Sequence, residues 1–264
     1  MKRFALRGGW TAANDTILCI FEEANYGRRG NVLRLPYGYT IVNSSLRLVL
    51  ARIPNTLILA LTALIITVLG SVPIGVYTAK KPGGLLDNIV SSTGFILKAL
   101  PLFFVGIMLM LFFGLKLKWL PTGGTGSFLH LLLPAITLSS HEVVTLTRLT
   151  RTEVGRVLRS DHIRTAKAKG LSSNMVLYKH ALRNVSIPLV TNIGLRLGKL
   201  INGAVVVETL FRWPGIGSLL ITSLNARDYP VIQVLIPYAA FVFVVVNLLV
   251  DLLYGVLDPR VTHK

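Results

Sequence analysis

Polar side chains set inside apolar stretches are the residues of this chain whose spacing bears on chemistry. Asn192, Arg196, Lys199 and Gly203 recur at steps of four, three and four, which puts them on one face of a helix. Thr137, His141 and Thr145 repeat the pattern upstream, with Glu142 beside them. A charge at membrane depth costs about 2.5–3.5 kcal/mol on insertion scales, so such residues face protein or water. Two readings follow. Either His141, Glu142, Thr145, Asn192, Arg196 and Lys199 line a polar translocation path, or Glu142 pairs with Arg196 or Lys199 and ties two helices together. The two are compatible.

Other chemistries find no support. No G-x-x-x-x-G-K-[ST] phosphate cradle exists, because Gly198-Lys199, the only Gly-Lys pair, is followed by Leu200. ATP, if it is used, must therefore be bound by another chain. His130, His141, His162, His180 and His263 lack metal-ligand spacing, and the single Cys19 cannot complete a site. No Ser/His/Asp arrangement stands out. The chain reads as non-enzymatic, with no catalytic or metal-binding residues and no bound cofactor.

A second polar feature is the segment Arg148–Pro188, which holds nine of the 28 Lys and Arg residues against Glu153 and Asp161. Helical composition extends over roughly Glu153–Lys169. Gly170 then stands where a helix stops, since glycine accepts the left-handed conformation of a C-cap. Ser172 is placed to cap a second helix running to about Val185, and Pro188 closes the segment. On composition alone, such a basic helical loop is the inner side of a membrane protein touching anionic headgroups.

The elements around these features are long and apolar. The chain has 264 residues, 52% hydrophobic and 15% charged, with a mean hydropathy of +0.63. Those values fit an integral membrane protein better than a soluble one. The net charge of +17 lies between apolar runs, without aromatic interleaving or zinc-finger spacing, so nucleic acid is not the expected partner. The apolar runs predict five spans, over about 53–79, 89–115, 128–147, 187–211 and 231–257, each long enough for roughly 30 Å of hydrocarbon. Pro101 predicts a kink in the second of them. Lys98 beside it is expected to snorkel toward the membrane edge. The fold class is all-α integral membrane, a polytopic helical bundle.

Charge sets the expected orientation. With the Arg148–Arg183 loop inside, that side also carries Lys80, Lys81, Arg260 and Lys264, while outside loops carry only Lys116, Lys118, Arg212 and Arg227. The asymmetry obeys the positive-inside rule and puts the C-terminus in the cytoplasm.

Arg164-Thr165-Ala166-Lys167-Ala168-Lys169-Gly170, followed by His180-Ala181-Leu182-Arg183-Asn184 and Ile187-Pro188, closely resembles the cytoplasmic loop of ABC-importer permeases. Trp213-Pro214-Gly215-Ile216-Gly217 and Asp251-Leu252-Leu253-Tyr254-Gly255-Val256-Leu257-Asp258-Pro259-Arg260 resemble the peptide-permease members, and the likeness runs from about Arg52 to Arg260. The general family motif begins Glu-Ala-Ala, with Gly four residues after the second Ala. Arg164-Thr165-Ala166 stands in its place here, and the Gly-to-Pro spacing is longer. Both departures resemble the dipeptide, oligopeptide and nickel branch. The resemblance implies a cytoplasmic coupling helix in which Arg164, Thr165, Ala166, Lys167, Ala168, Gly170 and Leu171 dock an ATPase. It further implies a multi-pass protein of the bacterial cytoplasmic (inner) membrane, in contact with lipid. The implied partners are a second permease subunit, two ATPase subunits that bind ATP and Mg, and an extracytoplasmic substrate-binding protein. Peptide is the implied cargo, with nickel or another small solute, glutathione-like ones included, as alternatives. A self-sufficient ion-coupled carrier is the competing class, and it would favour carboxylates at mid-membrane.

Residues 1–50 read as an external N-terminal segment, 51–258 as the permease domain and 259–264 as a cytoplasmic tail. Five spans with an internal C-terminus put Arg28, Arg29, Arg34, Arg47 and Arg52 outside, against the positive-inside rule. The family carries an additional first helix ahead of such a segment. The expectation is therefore a shortened or misassigned start, or a remnant whose N-terminal 25 residues replace that helix.

Overall fold

The computed structural model describes residues 37–172 and 175–257. The expectations for the segment ahead of residue 37 and for the tail at 259–264 lie outside the described residues. The chain divides between Ile41 and Val42, and the contacts that build the bundle lie in the unit beginning at Val42.

Helices make up most of the described residues. Helix α1 covers Tyr37–Lys80, α2 Leu85–Ala99 and α3 Leu102–Leu109, which continues in wider π-type turns over Met110–Lys116. Helix α4 covers Phe128–Leu158 and α5 Asp161–Ala168. A π-type segment, Val176–Ala181, leads into α6, Leu182–Leu210, and α7 (Ile216–Ala226) and α8 (Tyr229–Leu257) follow. In hydrocarbon a backbone polar group finds no water, so helices that close their own hydrogen bonds are the stable solution. Hydroxyls in the spans follow the same logic. Thr67, Thr78, Thr137, Thr145 and Thr150 each donate to the carbonyl four residues back.

Among the described residues, Ser45–Lys80, Phe128–Leu158 and Leu182–Leu210 are each long and apolar enough to cross a membrane. The expected fifth span coincides with α8, which has 29 residues. The expected first span begins too late, because α1 starts at Tyr37 and runs through Arg47 and Arg52 without a break.

The second span departs most from expectation. Pro101 does not merely kink it. The arms Leu85–Ala99 and Leu102–Lys116 turn through 108°. Leu100 adopts an extended conformation (φ −82, ψ 137), as the residue before proline must when the α region is blocked. Contacts place the pair along α4. Asp87 meets Arg151, Gly94 lies against Val144, and Gly106 lies against Thr137. Beyond the second arm, Gly124 donates to Phe211 O at 3.0 Å and lies against His130. From Arg151 to His130, α4 rises roughly 31 Å at 1.5 Å per residue, the thickness of the hydrocarbon core. The broken pair thus follows α4 in the opposite direction, from Arg151 to Thr137.

Similar contacts orient the others. Gly70 lies near Val143, and a Cβ at Gly75 would sit 2.6 Å from Thr150 Cβ, so α1 runs parallel to α4 in close contact. Arg196 meets Glu142 and Gly203 meets Leu138, so α6 is antiparallel. The core forms two layers. Leu59, Leu133, Leu200 and Phe211 fill the Phe211 end, and Val76, Leu146, Val154 and Val185 fill the Arg151 end.

The loop segment is also redrawn. The expected third span stops at Thr147, whereas α4 continues to Leu158, so the expected helix from Glu153 to Lys169 is cut in two. Ser160 is the reason. Its carbonyl accepts from Ile163 N and Arg164 N, starting α5, with Asp161 in the first turn. Ser172 does cap as expected, its Oγ accepting from Met175 N at 3.4 Å. That helix does not end near Val185, and Pro188 lies inside α6.

Candidate coupling surface and polar track

Helix α5 is eight residues long, too short to be stable alone, so its seat decides its position. Ile163 and Ala166 are buried against Val176, with Val157, Leu158 and Leu171 packed around them. The opposite face exposes Arg164, Thr165 and Ala168. Of the seven expected docking residues, Ala166 thus faces the body of the protein and Leu171 is half-buried. Lys167 lies on the helix. Gly170 has φ +78, and Leu171 N reaches back to Ala166 O at 3.3 Å. This is the six-to-one bond of a Schellman C-cap, with Leu171 adding its hydrophobic contact. Sequence reasoning passed over His162, whose Nε2 lies 3.1 Å from Asn184 Nδ2 at the start of α6.

Arg196 and Glu142 form an ion pair linking α6 to α4, with both side chains largely buried. Of the two pairings that the spacing allowed, the structure selects Arg196. Lys199 is exposed instead, and among the described residues no carboxylate pairs with it. His141 Nε2 lies 3.1 Å from Leu100 O. A carbonyl only accepts, so that nitrogen carries the proton, and the ring satisfies a carbonyl freed by the helix break. Thr145 donates to His141 O, and Asn192 donates to Pro188 O at 3.0 Å. His141, Glu142, Thr145, Asn192 and Arg196 therefore spend their strongest polar contacts inside the helix framework.

Two further charged groups were not singled out from the sequence. Asp87 is buried at the start of α2, where its Oδ2 accepts from Arg151 at 2.6 Å and from Gly83 N at 2.8 Å. One turn along, the Arg148 guanidinium stacks 4.1 Å from the Phe95 ring centroid. Basic residues at this end thus brace α2 against α4, besides marking the membrane edge.

At the other end Glu208 is 0% exposed. Thr56 Oγ1 donates to its Oε1 at 2.6 Å, and Gly217 N and Ser218 N donate to its Oε2 at 2.7 and 3.1 Å. A carboxylate here caps the first turn of α7, where unpaired N–H groups and the helix dipole favour negative charge. Trp213 Nε1 donates to Asn55 O at 3.0 Å, and Asn55 Nδ2 donates to Pro214 O at 2.8 Å. The glycines of Trp213-Pro214-Gly215-Ile216-Gly217 gain a physical reason. A Cβ on Gly215 would overlap the Glu208 carboxylate, and one on Gly217 would press on Val205. The signal for Glu208 was its isolation, a single acid in the neutral run from Leu200 to Phe211.

Comparisons with known proteins bear on the family and the fold. The family described as "Binding-protein-dependent transport system inner membrane component" matches residues 71–263. The oligopeptide transport system permease protein AppB of Bacillus subtilis is 40% identical over 247 residues, covering 89% of this chain and 78% of that protein. The di/tripeptide transport system permease protein DppB of Pseudomonas aeruginosa is 39% identical over 239 residues, covering 80% and 71%. A chain of the MetNI methionine ABC transporter, solved in inward-facing conformations, superposes with a TM-score of 0.65 over 80% of this chain and 96% of that one. At 15% identity, that likeness speaks for the fold alone.

Proposed function

Because this chain belongs to the binding-protein-dependent transport system inner membrane component family, we propose that it carries peptides across the inner membrane and takes its driving motion through α5. It is a multi-pass permease subunit of an ATP-driven importer and not itself an enzyme. The α5 seat carries the coupling reading: an eight-residue helix, buried on Ile163 and Ala166, presents Arg164, Thr165 and Ala168 outward. The His162–Asn184 contact joins it to the start of α6, so displacement of α5 is passed to a helix 29 residues long.

In this reading an ATPase subunit grips the exposed face of α5 and supplies the ATP and Mg chemistry. A second permease subunit completes the path, two ATPase subunits drive it, and an extracytoplasmic binding protein delivers the peptide. Peptide cargo is supported by the relatives' printed names, oligopeptide and di/tripeptide permeases. An ion-coupled carrier is disfavoured by the intramembrane carboxylates themselves. Glu142 is held by Arg196, and Glu208 by two backbone amides and a hydroxyl.

Two measurements test this. Nothing lies within 4 Å of the Cβ position at Gly170, so the Cβ of Gly170→Val meets no clash. The variant must instead hold a β-branched residue at positive φ, a strain of about 1–3 kcal/mol that the Schellman cap has to absorb. We expect normal insertion and assembly, with transport and substrate-stimulated ATPase at least severalfold lower. Unchanged stimulation in the assembled complex would remove the coupling role. For orientation, a reporter fused after Lys264 should read cytoplasmic. A periplasmic reading would invert the topology and place α5 on the wrong side for an ATPase.

A further inference from the structure

Lys199, which the helix framework leaves exposed, stands at mid-depth. Along α6, Arg196 meets Glu142 and Gly203 meets Leu138, which puts Lys199 level with about residue 140 of α4. At 1.5 Å per residue that is roughly 15 Å from His130 at one end and roughly 16 Å from Arg151 at the other. A lysine stem cannot reach the interface from there, so the ammonium requires water or an anion within the membrane. Lys98 is also exposed, and with Gly94 against Val144 and Leu100 O on His141 it lies near the same depth instead of snorkelling to the edge as expected; it has another account. It lies in the last turn of α2, where the free carbonyls of a helix C-terminus favour a cation.

Lys199 heads a continuous exposed face of α6. Asn202, Val206 and Thr209 follow at steps of three, four and three, so they lie on the same side of the helix. Phe103 of α3 and Ile221 of α7 flank Val206 and Thr209 in a groove that opens on this side. The face therefore runs from a cation at mid-membrane, past an amide, to an apolar and hydroxyl-bearing groove at the Phe211 end. A peptide offers the matching sequence of groups: one terminal carboxylate, then amides and side chains.

We propose that Lys199, aided by Asn202, takes the terminal carboxylate of the peptide cargo at mid-membrane, with the following residues of the peptide lying along Val206 and Thr209. This rests on the peptide-import function proposed for the chain. An ammonium is a compact donor with no planar preference, suited to an anion that must bind and then leave.

The test uses the assembled complex in proteoliposomes, supplied with saturating loaded binding protein so that delivery preference cancels. Uptake of a tripeptide is compared with uptake of its C-terminal amide. Lys199→Met should slow the free-acid peptide at least tenfold and leave the amide within about twofold of the parent, and Lys199→Arg should restore the free acid. Equal slowing of both peptides, an unchanged ratio, or failure of Lys199→Met to assemble would overturn the proposal. The last outcome would place a partner's acidic group against Lys199. A parent complex that moves neither peptide would overturn the cargo reading instead.

Discussion

Truncating Glu142 to alanine is expected to destabilise the permease by about 3–5 kcal/mol, because it strands the buried Arg196 guanidinium without its counter-charge. The penalty arises from the charge left behind more than from the attraction lost. Replacing both partners with neutral residues of similar volume, Glu142→Gln with Arg196→Met, should therefore recover most of the stability. Midpoints of thermal unfolding in detergent, read with the yield of assembled complex, measure both effects. If the double variant is as unstable as Glu142→Ala, the pair does more than neutralise itself. If Glu142→Ala is fully stable but inactive, the carboxylate belongs to the path and not to the framework.

Loosening the Glu208 cap should have the next largest effect. Glu208→Ala leaves Gly217 N, Ser218 N and Thr56 Oγ1 without the buried carboxylate that accepts from them. Hydrogen bonds to a charged group are worth about 1.5–3 kcal/mol each, though three on one carboxylate do not add. We expect α7 to separate from α1 and α6, with new protease cleavage between Phe211 and Arg227. Gly215→Ala should do the same from the other side, since its Cβ would overlap the carboxylate. The two changes together should be scarcely worse than either alone, because removing the carboxylate removes the clash. Full additivity of the two losses would separate Gly215 from Glu208 and leave the cap without its second half.

The positions of α4 and α6 were legible in the sequence because a span is a local property: some twenty apolar residues must cross the hydrocarbon. Gly170 was legible for a similar reason, since a left-handed residue after a helix is a requirement on one backbone position. The Ser160–Asp161 start of α5 was present as a local signal too, but the favourable helical composition on both sides hid it. Pro101 announced a disturbance without its size. A proline removes a donor and forces its predecessor out of the α region, yet the angle of the break is set by what the two arms pack against.

Helical spacing alone determined that this chain is an all-α membrane protein with polar faces on two spans and a glycine-ended basic loop between them. It could not determine which cation meets Glu142. Arg196 and Lys199 are both within one turn of the same face, and the choice depends on the rotation of α6 against α4. The tertiary structure decided that Arg196 turns inward and Lys199 stays exposed. It likewise decided that Glu208 caps α7, through a contact with Thr56 that spans 152 positions of sequence. Local periodicity records where a residue points on its own helix. What it meets there depends on how distant helices pack, and that packing is set by close approaches such as Gly75 on Thr150 and Gly203 on Leu138.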